Sequence, residues 1–270
     1  MDINSFFNVF STTPADRAEA ERRNWAEHRR RCASARDWDW KTRFTPEMNL
    51  TAVSWDAKPL FPGVPTTGCG NPAKSLDYLD SPCGQFRYTN AVLTPPHKLR
   101  VGWGLMRGTV VWDGPVTIPR LHQRDEVGRW GAGDFRNYEC HPWMSITPSE
   151  IITQRSGVRH AKGHVVVGGL GLGWLLERVE ERKKVECITL VEVNQGLVDW
   201  LLPVLRARMG DTPIKVIVGD VDEVVPKLTA DVCLLDVYPY YGSNGQHRDK
   251  LDRESPNVKH FWAWGGHKER

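Results

Sequence analysis

The chain has 270 residues, 40% of them hydrophobic and 26% charged, an ordinary composition for a water-soluble globular protein of one large domain or two small ones. A formal net charge of +3 is weak evidence for an acidic partner, because nucleic-acid binders carry a stronger and more clustered basic excess. Six cysteines at this length do not make a disulfide scaffold, no run of about 18 apolar residues could span a membrane, and MDINSFFNVF lacks the basic start of a secretory signal, so the expected setting is cytoplasmic, with reduced thiols.

Residues 1–50 read as an N-terminal helical arm. Its core is a helix over residues 14–36, with Pro14 in the first turn after Ser11, Thr12 and Thr13 as candidate caps. The apolar stripe is thin (Ala18, Trp25, Cys32), which suits a solvated helix docked by Trp25. The alternative is a nucleic-acid or partner contact through Arg29, Arg30 and Arg31. Residues 51–145 read as a loop and β-rich subdomain. The stretches FPGVPTTGCGNPAKS and LDSPCGQ are loop-like, and QFRYTNAVL, KLRVGWGLM and GTVVWDG alternate aromatic and β-branched residues between turn signals, as antiparallel strands over about 85–120 do. Residues 121–145 look irregular. TPSEIITQRSGVRHAKG then predicts a helix capped by Thr147, with Pro148 first and Glu150 third.

Within the last expected domain, 146–270, the pattern changes at Gly163. Apolar strands are expected at Val165–Val167, Cys187–Val193, Ile214–Val218 and Val232–Val237. Helices are expected at Leu172–Lys184, Gly196–Met209 (bent at Pro203) and Val221–Leu228. Strands without polar alternation, each separated by a helix, imply a parallel sheet covered on both faces, with its ligand at the carboxyl ends of the strands. VKHFWAWG adds a candidate fifth strand, and no hairpin of further strands fits after it.

Each strand end carries a chemically useful residue. VVVGGLGLGW places Gly168, Gly169, Gly171 and Gly173 directly after an apolar run, which suits close approach of a ligand to the backbone. Glu192 ends the second strand and can accept from two ribose hydroxyls. Asp220 follows the third and can accept from an adenine amino group, and Asp236 ends the fourth. A dinucleotide and S-adenosylmethionine both use such a set. The dinucleotide pattern G-x-G-x-x-G would need glycine where Trp174 stands, whereas G-x-G-x-G fits.

On these residues, the segment 163–237, somewhat over a quarter of the chain, resembles the class I S-adenosylmethionine-dependent methyltransferases, with the aminopropyltransferases related to spermidine synthase among their relatives. VVVGGLGLG is similar to their glycine motif, LVEVN to the ribose-binding segment, VIVGDVDEVV to the adenine-contacting segment and DVCLLDVYPYY to the strand facing the reacting centre. The resemblance implies an α/β fold: a doubly wound, mostly parallel Rossmann-like sheet, here a truncated class I methyltransferase core, with the helical arm and the small β-rich subdomain before it. It also implies that Gly168, Gly169, Leu170, Gly171, Gly173, Glu192, Val193, Asp220, Val221 and Asp236 hold S-adenosylmethionine or its decarboxylated form. Val167, apolar where many methyltransferases carry an acid, is more like the spermidine synthase relatives, while the polyamine motif Tyr-His-Glu-Met has only PWMSITPSE as a counterpart.

Asp236, Tyr238 and Tyr240 are the candidate catalytic residues: Asp236 as base or orienting group, the tyrosines shaping the acceptor site. Residues 236–241 resemble, one residue out of register, the Asp-Pro-Pro-Tyr motif of amino-methyltransferases, which implies an aromatic ring stacked on a planar amine-bearing group. Glu150 and Tyr241 are candidate substrate contacts, although a capping box explains Glu150 by itself. Trp174 reads as helix-start packing or a pocket wall. Cys69, Cys83, Cys140 and His141 lack metal-site spacing, so no metal is expected, and histidines 97, 122, 160 and 164 read as exposed or structural. Trp262 and Trp264 suit a buried edge strand or a partner interface. The expected function is S-adenosylmethionine-dependent group transfer, most simply methyl transfer to an acceptor the sequence does not name. Aminopropyl transfer and a non-catalytic assembly module, as a homo-oligomer through Phe261–Trp264, are the alternatives.

Overall fold

The computed structural model describes residues 59–67, 78–93, 98–101, 108–111, 116–124, 142–238 and 244–266. Contacts divide the chain into Met1–Thr45 and Pro46–Arg270, and every described residue belongs to the second unit. The helix expected over residues 14–36, Tyr240, Tyr241, Cys69, Cys140, His97 and His141 lie outside the described residues.

The upstream half is mostly antiparallel. Strands β1 (Thr66–Thr67), β2 (Leu79–Asp80), β3 (Phe86–Leu93) and β6 (Val116–Gln123), with β7 (Met144–Ser145), form one sheet in which the short β1 runs parallel to β3 and the other pairs are antiparallel, β3 and β6 pairing over eight residues, Phe86 to Leu93 against Gln123 to Val116. Strands β4 (Lys98–Val101) and β5 (Gly108–Val111) form a separate hairpin. β6 runs into the stretch expected to be irregular because its polar residues find buried partners: His122 Nε2 lies 3.0 Å from Thr89 Oγ1, and Arg120 Nε donates to the same hydroxyl at 3.1 Å. On the other face Tyr88 Oη donates to Asn90 Oδ1 and accepts from the Leu60 amide, which satisfies a phenol that is fully buried.

From Pro148 the chain alternates helix and strand: α1 (Pro148–His160), β8 (Gly163–Gly168), α2 (Trp174–Glu180), β9 (Val185–Glu192), α3 (Gln195–Arg206), β10 (Ile214–Val218), α4 (Val221–Val224) continued by a 3-10 turn (Val225–Lys227), β11 (Val232–Leu235), α5 (Gly245–Glu254) and β12 (Phe261–Ala263). The second five-stranded sheet is all parallel, in the order β10-β9-β8-β11-β12. Alternate residues of its strands enter two cores, Val165, Val167, Leu190 and Leu234 on one face and Val166, Val191, Cys233 and Leu235 on the other. Burial on both sides is why these strands read as unbroken apolar runs. The first core also holds Phe86, Tyr88 and Leu121 of the antiparallel sheet, and Phe61 stacks on Trp200 of α3, so the two sheets share apolar packing.

Local chemistry sets the boundaries. α1 begins in the expected capping box, with Thr147 Oγ1 accepting from the Glu150 amide and Glu150 Oε2 from the Thr147 amide. α2 is shorter than expected because its cap, Gly173, is left-handed (φ 81°), which excludes Leu172 from the helix. α3 is capped by Asn194 and runs through Pro203, which lies on its exposed side. The single helix expected over Val221–Leu228 is split by Pro226, which cannot donate to the preceding turn. β12 occupies part of the expected fifth strand and, among the described residues, pairs with β11 alone. Trp262 of β12 and Trp264 just beyond it are engaged with α1: Trp262 Nε1 donates to Ser156 Oγ and Trp264 Nε1 to Thr153 Oγ1.

Candidate functional site

The chain winds from β8 outward to β10, then returns to place β11 on the other side of β8, so the sheet reverses direction between β8 and β11. In open α/β sheets ligands bind beyond such a reversal. The register puts the four strand ends level. Gly168 is opposite Leu235 of β11 and Val191 of β9, and Glu192 is opposite Val218 of β10. The next residues, Gly169, Asp236, Glu192 and Asp220, therefore meet at one edge. They line a cavity of about 530 Å³.

The glycine turn is built by close approach. Gly169 has φ 90°, and a Cβ there would lie 2.5 Å from the Asp236 carbonyl oxygen. A Cβ on Gly173 would collide with the Leu205 side chain of α3, so this glycine, rather than position 174, lets helix and turn pack tightly. Trp174 opens α2 as a buried core residue, its indole N–H without a partner among the described residues.

Glu192 is buried and held at both carboxylate oxygens. Oε2 accepts from the Leu170 amide at 2.7 Å and Oε1 from the Asn194 amide at 2.9 Å. The acid thus fastens the glycine turn to the end of β9, and each oxygen keeps a second lone pair. Val193 beside it is 71% exposed on the cavity wall, although the two residues before it are buried. Asp220 caps α4, Oδ1 accepting from the Asp222 amide, and Val221 beneath it is buried.

Asp236 is half-buried, and Gln154 Nε2 donates to its Oδ2 at 2.6 Å. Burial first, and the neighbouring Glu150 charge second, push its carboxyl up to about 7. Burial also raises Glu150, whose Oε2 accepts from the Thr147 amide and hydroxyl and the Ser145 hydroxyl, so it serves as the helix cap while lining the cavity. Across from them, Tyr238 Oη lies 3.0 Å from His247 Nδ1, and His247 Nε2 lies 2.5 Å from Asp222 Oδ1. All three side chains belong to residues lining the same cavity.

The structure therefore brings together Gly169, Gly171, Gly173, Leu170, Glu192, Val193, Asp220, Val221, Asp236, Tyr238 and Glu150, whereas Gly168 is the last residue of β8, packed against Leu235 and Val221, and is not among the residues lining the cavity. Among the described residues no group of three His, Cys, Asp or Glu could hold a metal, and no helix is long and apolar enough to cross a membrane. His122 and His164 are structural, the latter's Nε2 lying 2.8 Å from Thr189 Oγ1. Sequence reasoning missed Gln154, Asp222 and His247. Gln154 was within reach, since it stands one helical turn after Glu150 and so shares its face. His247 gave no signal, because GQHRDKLDRE has only Leu251 as a buried apolar residue.

Fold and site together define a Rossmann-like α/β protein with a ligand cavity at its switch point. No family model matches the chain, and no curated protein matches it. Solved structures similar to it include precorrin 8w decarboxylase from Methanobacterium thermoautotrophicum, with 19% identity over 39% of this chain and 56% of that one at a TM-score of 0.30. A SAM-dependent methyltransferase from Thiobacillus denitrificans, in complex with S-adenosyl-L-homocysteine, shares 21% identity over 41% and 44% of the two chains at 0.31. Spermidine synthase from Thermotoga maritima shares 13% over 69% and 61% at 0.35. The chain spans 44% to 61% of the length of these structures, and overlaps this partial leave its activity to be read from its own site.

Proposed function

We propose that the cavity binds S-adenosylmethionine and that the chain is a group-transfer enzyme, methyl transfer being the first reaction to test. The observation that carries this reading is Glu192, locked between the glycine turn and the β9 end with lone pairs to spare, beside an exposed Val193. A buried carboxylate suits two ribose hydroxyls, an exposed valine suits the flat face of a purine, and the second oxygen of Asp220 suits an exocyclic amino group. The turn's shape is fixed by the chain's own packing, since a Cβ at Gly169 would meet the Asp236 carbonyl oxygen and one at Gly173 the Leu205 side chain, and Gly169, Gly171 and Gly173 all line the cavity. When bound, the donor supplies a sulfonium carbon open to in-line attack. The chain's part is to hold donor and acceptor in line, which well-oriented systems turn into about 7–11 kcal/mol of barrier reduction. Asp236 orients the acceptor, its carboxylate held by Gln154.

Calorimetry with S-adenosylhomocysteine tests the reading. Binding is expected in the wild type and about 100-fold weaker binding in Glu192→Ala, which loses two charge-assisted hydrogen bonds and the staple on the turn. A wild type that gives no heat sinks the proposal. The aminopropyl reading is favoured by Val167, buried and apolar at the end of β8, and by two carboxyls, Glu150 and Asp236, on one cavity. It requires that the decarboxylated donor bind more tightly than S-adenosylmethionine, and equal or weaker binding eliminates it.

A further inference from the structure

The donor reading leaves one part of the cavity wall unused, the chain Asp222–His247–Tyr238. Its members come from three places, the start of α4, helix α5 and the loop after β11, and they converge by hydrogen bonds of 2.5 and 3.0 Å. An ionised carboxylate only accepts, so the imidazole proton belongs on Nε2, facing Asp222. Nδ1 then presents a lone pair to the Tyr238 hydroxyl. A hydroxyl held by a histidine that an acid orients is the arrangement that lets a neutral oxygen exchange protons.

We propose that Tyr238 is the group that takes the acceptor's proton, with His247 and Asp222 as its positioning residues, and that the acceptor is therefore an N–H or O–H nucleophile rather than one with no proton to lose. As the bond to the acceptor's nitrogen or oxygen forms, the S–C bond breaks and sulfur keeps its electron pair. The acceptor's proton passes to Tyr238 Oη while that oxygen's own proton passes to His247 Nδ1, leaving an imidazolium beside the Asp222 carboxylate. Asp236 is poorly placed for this exit, being engaged by Gln154 and set beside Glu150. The side chains of His247 and Asp222 are 29% and 37% exposed and can hand the proton to water. Burial raises the Tyr238 hydroxyl well above its ordinary value, with Cys233, Asp222 and Asp236 adding to the rise and Arg248 opposing it, so no standing phenolate is present and the proton must leave as the oxygen reacts. Lys250 Nζ lies 3.8 Å from Asp222 Oδ2 at the outer end.

The proposal rests on the group-transfer reading for its acceptor, but the relay can be tested without any acceptor. The full-length chain is treated with an aryl sulfonyl fluoride, and labelling of Tyr238 is measured by peptide mass spectrometry against exposed Tyr78 as internal reference. In this reaction the tyrosine oxygen bonds to sulfur, fluoride leaves, and the phenolic proton goes to His247. The Tyr238 to Tyr78 ratio is expected to fall at least tenfold in His247→Ala, to recover with added imidazole, and to fall also in the isosteric Asp222→Asn, which carries the test should His247→Ala unfold. An unlabelled Tyr238 in the wild type, an unchanged ratio in either variant, or a loss that imidazole does not restore overturns the relay. Calorimetry with S-adenosylhomocysteine on the same samples is scored separately: absent binding overturns the donor reading and leaves the relay to the labelling ratio.

Discussion

Asp236→Asn is expected to raise the stability of the folded chain at pH 8 and to remove most of the group-transfer activity proposed for it. The carboxyl is lifted from an ordinary 3.8 to about 7 by burial and by Glu150. Between those two pH values the folded chain binds a proton that the unfolded chain has released, so stability falls as pH rises through this window and the full penalty is present above it. Each pH unit across which only the folded chain holds the proton costs about 1.4 kcal/mol, so the penalty at pH 8 is at most about 4 kcal/mol, on the order of ten degrees in melting temperature for a domain of this size. Asparagine carries no charge and its carbonyl can still accept from Gln154, so the variant should melt higher at pH 8 while matching the wild type near pH 3. A variant that melts lower than the wild type at pH 8 would show that the carboxylate is held by favourable contacts instead. The loss of an aimed charge at the reacting centre should lower turnover about 100-fold or more.

Gly169→Ala should have the opposite effect on stability. At φ 90° a side chain is strained, and the new Cβ would lie 2.5 Å from a backbone oxygen, that of Asp236, which cannot swing away as a side chain can. Strain and repacking together should destabilise by about 2–4 kcal/mol and displace the β11 end from the cavity. Chemical denaturation with Gly245→Ala as control checks this: Gly245 starts a helix with nothing within 4 Å of its Cβ position, so its change should be neutral or slightly stabilising. Equal midpoints for the two variants would contradict the close-approach account of the glycine turn.

The parallel sheet was legible because burial on both faces leaves a direct trace. β10 matches its expected bounds residue for residue, and β8, β9 and β11 differ from theirs only at the ends. The capping box at Thr147 was legible for a similar reason, since both of its bonds are made within four residues. What escaped depends on long-range partners. β6 holds Arg120 and His122 in the interior with Thr89 as a shared partner, and Thr89 comes from a strand some thirty residues away. α5 carries almost no apolar signal and is held by a buried Leu251 and by the Asn244 amide on the Trp264 carbonyl. At the site, the acids could be read from their places at strand ends. Their partners could not, because Gln154 reaches Asp236 across 82 residues of sequence and His247 reaches Asp222 across 25.

The two indole bonds from Trp262 and Trp264 to α1 have a consequence for how the centre of the molecule is tuned. α1 bears Glu150, whose charge adds to burial in raising the Asp236 carboxyl, and Gln154, which donates to it, and the helix is moored through Ser156 to Trp262 of the outermost strand and through Thr153 to Trp264 just beyond it. Gly157 deepens the mooring, since its missing side chain leaves the Trp262 ring a seat against the helix backbone. The margin of the sheet thereby acts as a tuning peg: small changes at Trp262, which is not among the residues lining the cavity, would turn the helix and shift the acidity of Asp236, while Trp264 both moors the helix and lines the cavity.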